Sequence, residues 1–165
     1  MAGNVSDEDR MAMFRGAMRR LAGGVALVTS NLDERPFGMT MTAVMSLSMD
    51  PPSLVVGINQ SASIASVLTP GKPFCVNLLR YPQEGFCRQF SALAAEERFS
   101  VGEWRRTESG VPWLADAQAA IFCTVGPMHD FGSHRLVVGI VNETILADPV
   151  DPLVHVDGSY RPVIR

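Results

Sequence analysis

The sequence predicts a mainly β fold with flanking helices: an antiparallel, Greek-key-like barrel, closed or nearly closed. Three observations carry this. At least six short β-branched or aliphatic segments are punctuated by turn residues, with 14 glycines and 11 prolines in 165 residues. Two long strand-like segments, 119–130 and 134–146, face each other across Phe131-Gly132-Ser133 as a hairpin. The strands do not alternate regularly with helices, which separates the chain from a doubly wound parallel sheet.

The elements follow in order. Ser6 caps a first helix, Asp7, Glu8 and Asp9 suit its positive end, and Met11, Phe14, Met18 and Leu21 keep helical spacing. Gly23-Gly24 is expected to end it, and the whole segment 1–24 to pack on the barrel with its arginines solvated. Strands are expected over 25–30 and from Pro36 to about Val44, joined by a turn at 31–35. Ser46 to Met49 runs into Asp50-Pro51-Pro52, which holds the chain extended before the strand 54–58. Ser61 opens a short helix through Ile64, Val67 and Leu68, stopped by Pro70-Gly71. A strand at 74–79 precedes a second helix from Pro82, carrying Phe86, Phe90 and Leu93. Segment 94–116 is irregular and anchored by Trp104 and Trp113, and two short extended pieces, 152–156 and 160–164, close the chain around Asp157-Gly158.

Composition narrows the function classes. At this length the chain reads as one domain, 1–165, large enough for its own core. Fourteen basic and 17 acidic side chains give a formal charge of -3, which carries no bulk signal for nucleic acid. Apolar runs such as 54–58 are too short to span a bilayer, and residues 1–10 show no secretory apolar stretch. Cys75, Cys87 and Cys123 are odd in number, widely spaced and set among apolar residues, so they read as buried reduced thiols of a cytoplasmic protein rather than a disulfide framework. His129, His134 and His155 match no metal-ligand spacing, so no metal site is expected.

Two stretches carry candidate chemistry. Segment 38–48 mixes small hydroxyl residues with soft apolar ones, the combination a flat aromatic cofactor needs against its faces and polar edge. A plain barrel strand accounts for the same residues. Asn59-Gln60-Ser61-Ala62-Ser63 lies where a strand meets a helix, so free amides and hydroxyls there form an anion site, or simply an N-cap by Ser61. His134 leaves the Gly132-Ser133 turn, a position that presents an imidazole at a barrel mouth; His129 and His155 read as structural or exposed.

In sequence order, Phe-Arg-x-x-Met-Arg-Arg-Leu-Ala-Gly-Gly-Val at 14–25, Gly-Met-Thr at 38–40, Ser-Leu-Ser-Met-Asp-Pro-Pro at 46–52, Phe-Cys-Val-Asn-Leu-Leu at 74–79, Phe90-Ser91, Gly-Ser-His at 132–134 and Gly-Ser-Tyr at 158–160 resemble the short-chain flavin reductase family, the reductase components of two-component flavin-dependent monooxygenases. The resemblance runs from about Phe14 to Arg161. It implies an FMN-binding split barrel, a homodimer, FMN or FAD as flavin, NADH or NADPH as hydride donor, and an oxygenase partner fed by diffusing reduced flavin. On this resemblance Met39, Thr40, Met41, Thr42, Ala43, Met45 and Ser46 line the flavin ring and ribityl chain, and Asn59, Gln60, Ser61 and Ser63 hold the phosphate with Phe90 and Ser91. Asn77 joins the cofactor-binding set, His134 is the catalytic candidate where the nicotinamide approaches, and Gly158, Ser159 and Tyr160 lie near the pyridine nucleotide. Three departures stand out: Ser133 replaces the family's Asp before His134, Thr42-Ala43 replaces Asn-Ser or Ser-Ser, and Val156-Asp157 replaces an aromatic-Arg pair. Two other functions remain open, a flavin carrier or sensor with little reductase activity, and a split-barrel oxidase acting on a small amine or vitamer.

Overall fold

The computed structural model describes residues 6–163. Its elements are α1 (Asp7–Met18), β1 (Gly23–Gly24), β2 (Ala26–Leu32), β3 (Arg35–Met41), β4 (Val44–Met49), β5 (Pro52–Asn59), β6 (Pro73–Leu78), α2 (Glu84–Ala92), β7 (Trp104–Arg106), β8 (Pro112–Leu114), β9 (Ala119–Phe131), β10 (His134–Leu146), β11 (Val154–Val156) and β12 (Ser159–Arg161). Seven strands form the main sheet in the order β3-β2-β6-β9-β10-β5-β4, with every pairing antiparallel.

The curl of this sheet follows from one connection. β3 and β4 occupy opposite edges, yet only Thr42-Ala43 joins them. Laid flat, seven strands would hold those edges about 29 Å apart at roughly 4.8 Å per step. A two-residue link spans only about 10 Å. The sheet therefore bends round until its edges meet, leaving a split between β3 and β4.

Alternation sorts the core. In β2, Val28 points inside the barrel with Val56, Ile58, Phe74, Val76 and Val137, while Leu27 points outward to Leu79, Phe90, Leu114 and Leu153. Both faces of β2 are covered, so Ala26 to Ser30 are buried without alternation. α2 packs onto β3 at Gly38, where a Cβ would sit 2.9 Å from Phe90 Cζ and 3.0 Å from Phe99 Cζ. This close approach brings α2 within hydrogen-bond reach of β3. Trp104 anchors the irregular segment at 4.7 Å from Phe99, ring centre to ring centre, and Trp113 meets Phe122 edge-on.

Several expectations are refined. The long hairpin forms as β9 and β10, with irregularities after Val137 and after Val141. The turns at Asp33-Glu34 and Asp157-Gly158 put both central residues at positive φ, the backbone form that matches hairpin twist. α1 is capped by Ser6, but it ends at Met18, and Gly23-Gly24 pairs with β11 instead of stopping a helix. α1 buries no face on the barrel: none of its residues is buried, and Met11, Met13, Phe14 and Met18 stay exposed, with no apolar surface among the described residues covering them. The helix expected from Ser61 is a four-residue 3-10 turn, Ser63–Ser66, without a side-chain cap. The last strand covers Ser159–Arg161, and its expected end at Ile164, like residues 1–5 of the amino-terminal segment, lies outside the described residues.

Candidate functional site

The link between β3 and β4 opens a shelf on the outer face of the barrel. Thr42 O accepts from Val44 N at 2.9 Å, and Ala43 O accepts from Gly57 N at 2.9 Å, which fastens the link against β5. Along β5, Leu54, Val56 and Ile58 turn inward, so Val55, Gly57 and Asn59 line the outer face. Gly57 is paired with Leu136, and Asn59 with His134. A Cβ at Gly57 would lie 3.3 Å from Ala43 Cβ and 3.9 Å from Leu136 Cδ2. Without that side chain, Ala43 and Leu136 close over β5 as one low apolar shelf, and Leu136 is 46% exposed. Asn59 and His134 supply the polar end.

That end is tightly built. Asn59 Oδ1 accepts from Ser61 N at 3.0 Å and from Ser61 Oγ at 2.8 Å, while Ala62 N donates to Asn59 O. Gln60 N donates to Ser133 O, and Gln60 Nε2 donates to His134 O at 3.1 Å, tying the 59–63 turn to the hairpin tip. The amides of 60, 61 and 62 are thus committed within the protein, and a four-residue turn has little dipole. Of the amides expected there for an anion, those three are not free. Asn59 Nδ2 and the Ser63 hydroxyl remain as donors. Ser133 Oγ lies 2.9 Å from His134 Nδ1, and the Arg135–Asp130 pair, with Nη2 to Oδ2 at 3.0 Å, clamps the two strands beside the tip. The hydrogen bond from Arg135 holds the Asp130 carboxyl below its usual pKa.

A recess of about 200 Å³ lies where β3 faces the β11–β12 hairpin and is lined by Val25, Thr40, Met41, Thr42, His155 and Tyr160. Tyr160 is held from three sides. His155 meets it edge-on at 5.4 Å, the Arg88 guanidinium lies 4.7 Å above its ring, and its hydroxyl is 3.2 Å from Cys87 Sγ. Burial, then the hydrogen bond with Cys87, pushes the Tyr160 phenol up to about 12. The turn at 157–158 is pinned to the end of α1: Arg19 Nε donates to Asp157 Oδ1 at 2.9 Å, and Asp157 N donates to Arg19 O.

Not every expected residue reaches these surfaces. Met39 and Met41 alternate with Thr40 and Thr42, so their side chains pack toward the barrel interior, Met41 reaching only the edge of the smaller recess. Asn77 is a correction. It is fully buried, its Nδ2 donates to Leu27 O and Thr29 Oγ1, and its Oδ1 accepts from Leu114 N, so every role it has is structural. Phe90 is a second correction, being fully buried under α2, although Ser91 beside it is exposed and bonded to Thr40. Met45 and Ser46 lie on β4 at a separate, mostly apolar cleft of about 470 Å³ that also involves Met49, Leu54, Ile121, Val141 and Leu153, at the Pro52 end of β5. Gly158 and Ser159 form the turn leading to Tyr160. Gly57, Leu136 and His155 escaped sequence reasoning. Gly57 and Leu136 carry no polar chemistry, and His155 matters only through its cross-strand pairing with Tyr160.

Known proteins share this fold. Residues 18–163 match the flavin reductase like domain. The reductase component of an FADH(2)-dependent resorcinol hydroxylase from Rhizobium sp. (strain MTP-10005) is 36% identical over 160 residues, covering 95% of this chain and 89% of that protein. An FMN reductase (NADH) of Methylorubrum extorquens is 37% identical, covering 93% of this chain and 77% of its own. Among solved structures, the NADH:FAD oxidoreductase of Streptomyces globisporus C-1027, in complex with NAD and FAD fragments, superposes with a TM-score of 0.87 at 26% identity over 99% of this chain and 98% of that one. The split barrel is the fold of these flavin reductases. The chain belongs to the flavin reductase like domain family.

Proposed function

We propose that this protein is an NAD(P)H-dependent flavin oxidoreductase that supplies reduced FMN or FAD to a flavin-dependent oxygenase. The observation that carries the reading is the low apolar shelf at Ala43, Gly57 and Leu136, bounded at one end by Asn59 and His134. A planar tricyclic group needs an apolar surface without projecting side chains, and the absent Cβ of Gly57 provides it. Relatives named as reductase components and as an FMN reductase (NADH) support the same chemistry.

Bound there, a flavin supplies the acceptor for hydride from the reduced nicotinamide. Ala43, Gly57 and Leu136 bear the ring system, and Asn59 Nδ2 with the Ser63 hydroxyl hold the phosphate. Thr42, exposed at the β3–β4 link, offers its hydroxyl to the polar edge. His134, oriented through Nδ1 by Ser133, keeps Nε2 for the incoming nucleotide. The protein orients and covers the reacting rings, and it needs no carboxylate dyad for this work.

The reading includes a homodimer. Met45, Leu47 and Met49 on β4 are exposed, Met49 at 86%, and α1 presents further uncovered methionines and Phe14. It also includes a cytoplasmic location, which suits three free, buried cysteines. Among the described residues no helix is long and apolar enough to cross a membrane.

The test combines flavin titration of the apo-protein with NADH and NADPH consumption in the presence and absence of added FMN or FAD. Flavin-dependent oxidation of at least one nucleotide is expected. Flavin binding without nucleotide oxidation would establish a carrier or sensor instead.

A further inference from the structure

We propose that Thr40 is a specificity-determining residue whose hydroxyl, held as an acceptor by Ser91, receives an N–H of the nicotinamide carboxamide. The inference rests on the flavin reductase reading and adds a residue-level rule for the hydride donor.

It begins with a proton count. Ser91 Oγ lies 2.8 Å from the backbone carbonyl of Cys87, and a carbonyl can only accept, so Ser91 spends its single proton there. Thr40 Oγ1 lies 2.8 Å from the same Ser91 Oγ. With the serine proton committed, Thr40 must be the donor in that contact. Its own proton is then used, and only lone pairs remain to face the recess of about 200 Å³ that it lines with Thr42, His155 and Tyr160.

Three features of the recess select its occupant. No Lys, Arg or carboxylate lines it, and the Thr40 oxygen, left with lone pairs only, is a poor partner for phosphate or carboxylate. A neutral group with an N–H donor suits the Thr40 end, while the Thr42 hydroxyl and the His155 ring are the other polar groups of the lining. The volume lies below that of sites that enclose whole drug-sized ligands, so it admits one ring with its substituent rather than three fused rings. The walls are aromatic: His155 and Tyr160 stand 5.4 Å apart, and Tyr160 is braced by Cys87 and Arg88. A pyridine ring bearing a primary carboxamide meets all three conditions. Because Ser91 and Cys87 are one helical turn apart on α2, the same helix fixes the acceptor and braces the aromatic wall.

The experiment is a chemical double-mutant cycle. Flavin reduction is followed with NADH and with its acetylpyridine analogue, in which a methyl group replaces the amide nitrogen. Wild type should lose about three- to tenfold in kcat/KM on going to the analogue, the worth of one hydrogen bond. Thr40→Val should turn over NADH more slowly and lose this discrimination, while Thr40→Ser restores it. Ser91→Ala frees the Thr40 proton, so its discrimination should also shrink. Discrimination by Thr40→Val equal to wild type, with the fold confirmed by circular dichroism, would overturn the proposal. So would a Thr40→Val variant whose defect is wholly in flavin affinity, since the recess would then take the flavin. Should Thr40→Val fail to fold, Ser91→Ala decides by the same ratio. Absence of nucleotide oxidation in wild type would instead sink the reductase reading itself.

Discussion

Ser133 Oγ lies 2.9 Å from Nδ1 of His134, at the tip of the β9–β10 hairpin and directly across from Asn59. The hydroxyl stands where the family's Asp would stand and gives the imidazole an orienting partner without adding a charge. His134→Ala should lower kcat/KM for the nucleotide about tenfold, equivalent to roughly 1.4 kcal/mol. Ser133→Ala should cost less, because the ring is present but freer to turn. His134 is exposed, so both variants should keep their unfolding midpoints within about 0.5 kcal/mol of wild type. Steady-state kinetics beside denaturant unfolding checks both halves.

Gly57→Val tests the apolar shelf. Its Cβ would already be 3.3 Å from Ala43 Cβ, and the added methyls would stand up from the shelf. The flavin Kd should rise by about tenfold or more. β-branched residues suit strands, so the fold should survive. Equilibrium titration by flavin fluorescence measures the change, and an unaltered Kd would move the flavin elsewhere.

Asn77→Ala should separate structure from chemistry. It strands Leu114 N and removes the side-chain bonds to Leu27 O and Thr29 Oγ1 in a fully buried setting, so stability should fall by about 2–4 kcal/mol. The flavin Kd of the molecules that remain folded should not change. Urea unfolding and flavin titration at low temperature distinguish this from a cofactor contact.

Stability should decline on the alkaline side. Burial, then the hydrogen bond with Cys87, raises the Tyr160 phenol from 10.0 to about 12 in the folded protein. The group is raised, so its contribution is fully present below pH 10 and is lost as pH rises toward 12. Burial shifts the Cys87 thiol in the same direction and adds to the decline. Tyr160→Phe should show a shallower fall of the unfolding midpoint across this window than wild type.

Much of the barrel was legible because its punctuation is local. Asp33-Glu34, Gly132-Ser133 and Asp157-Gly158 mark their turns in the residues themselves, and the long hairpin follows from two apolar segments around one of them. The site was legible only in part, for a geometric reason. A motif such as 74–79 or 39–41 shows that a strand belongs to the family but not which of its residues face inward. Asn77, Met39 and Met41 turned out to point into the protein, while Gly57 and Leu136 came to the surface from strands with no chemical signature. His155 became relevant only when β11 paired with β12 and set it against Tyr160. The apolar spacing of α1 is real, yet none of the described residues covers it.

The most direct measurement is anaerobic mixing of the protein with FMN or FAD and one equivalent of NADH or NADPH, followed by the loss of oxidised flavin absorbance. The account predicts rapid bleaching that depends on the protein, with one flavin reduced per nucleotide oxidised. Flavin that stays oxidised with both nucleotides, at a concentration where titration shows it bound, would contradict it.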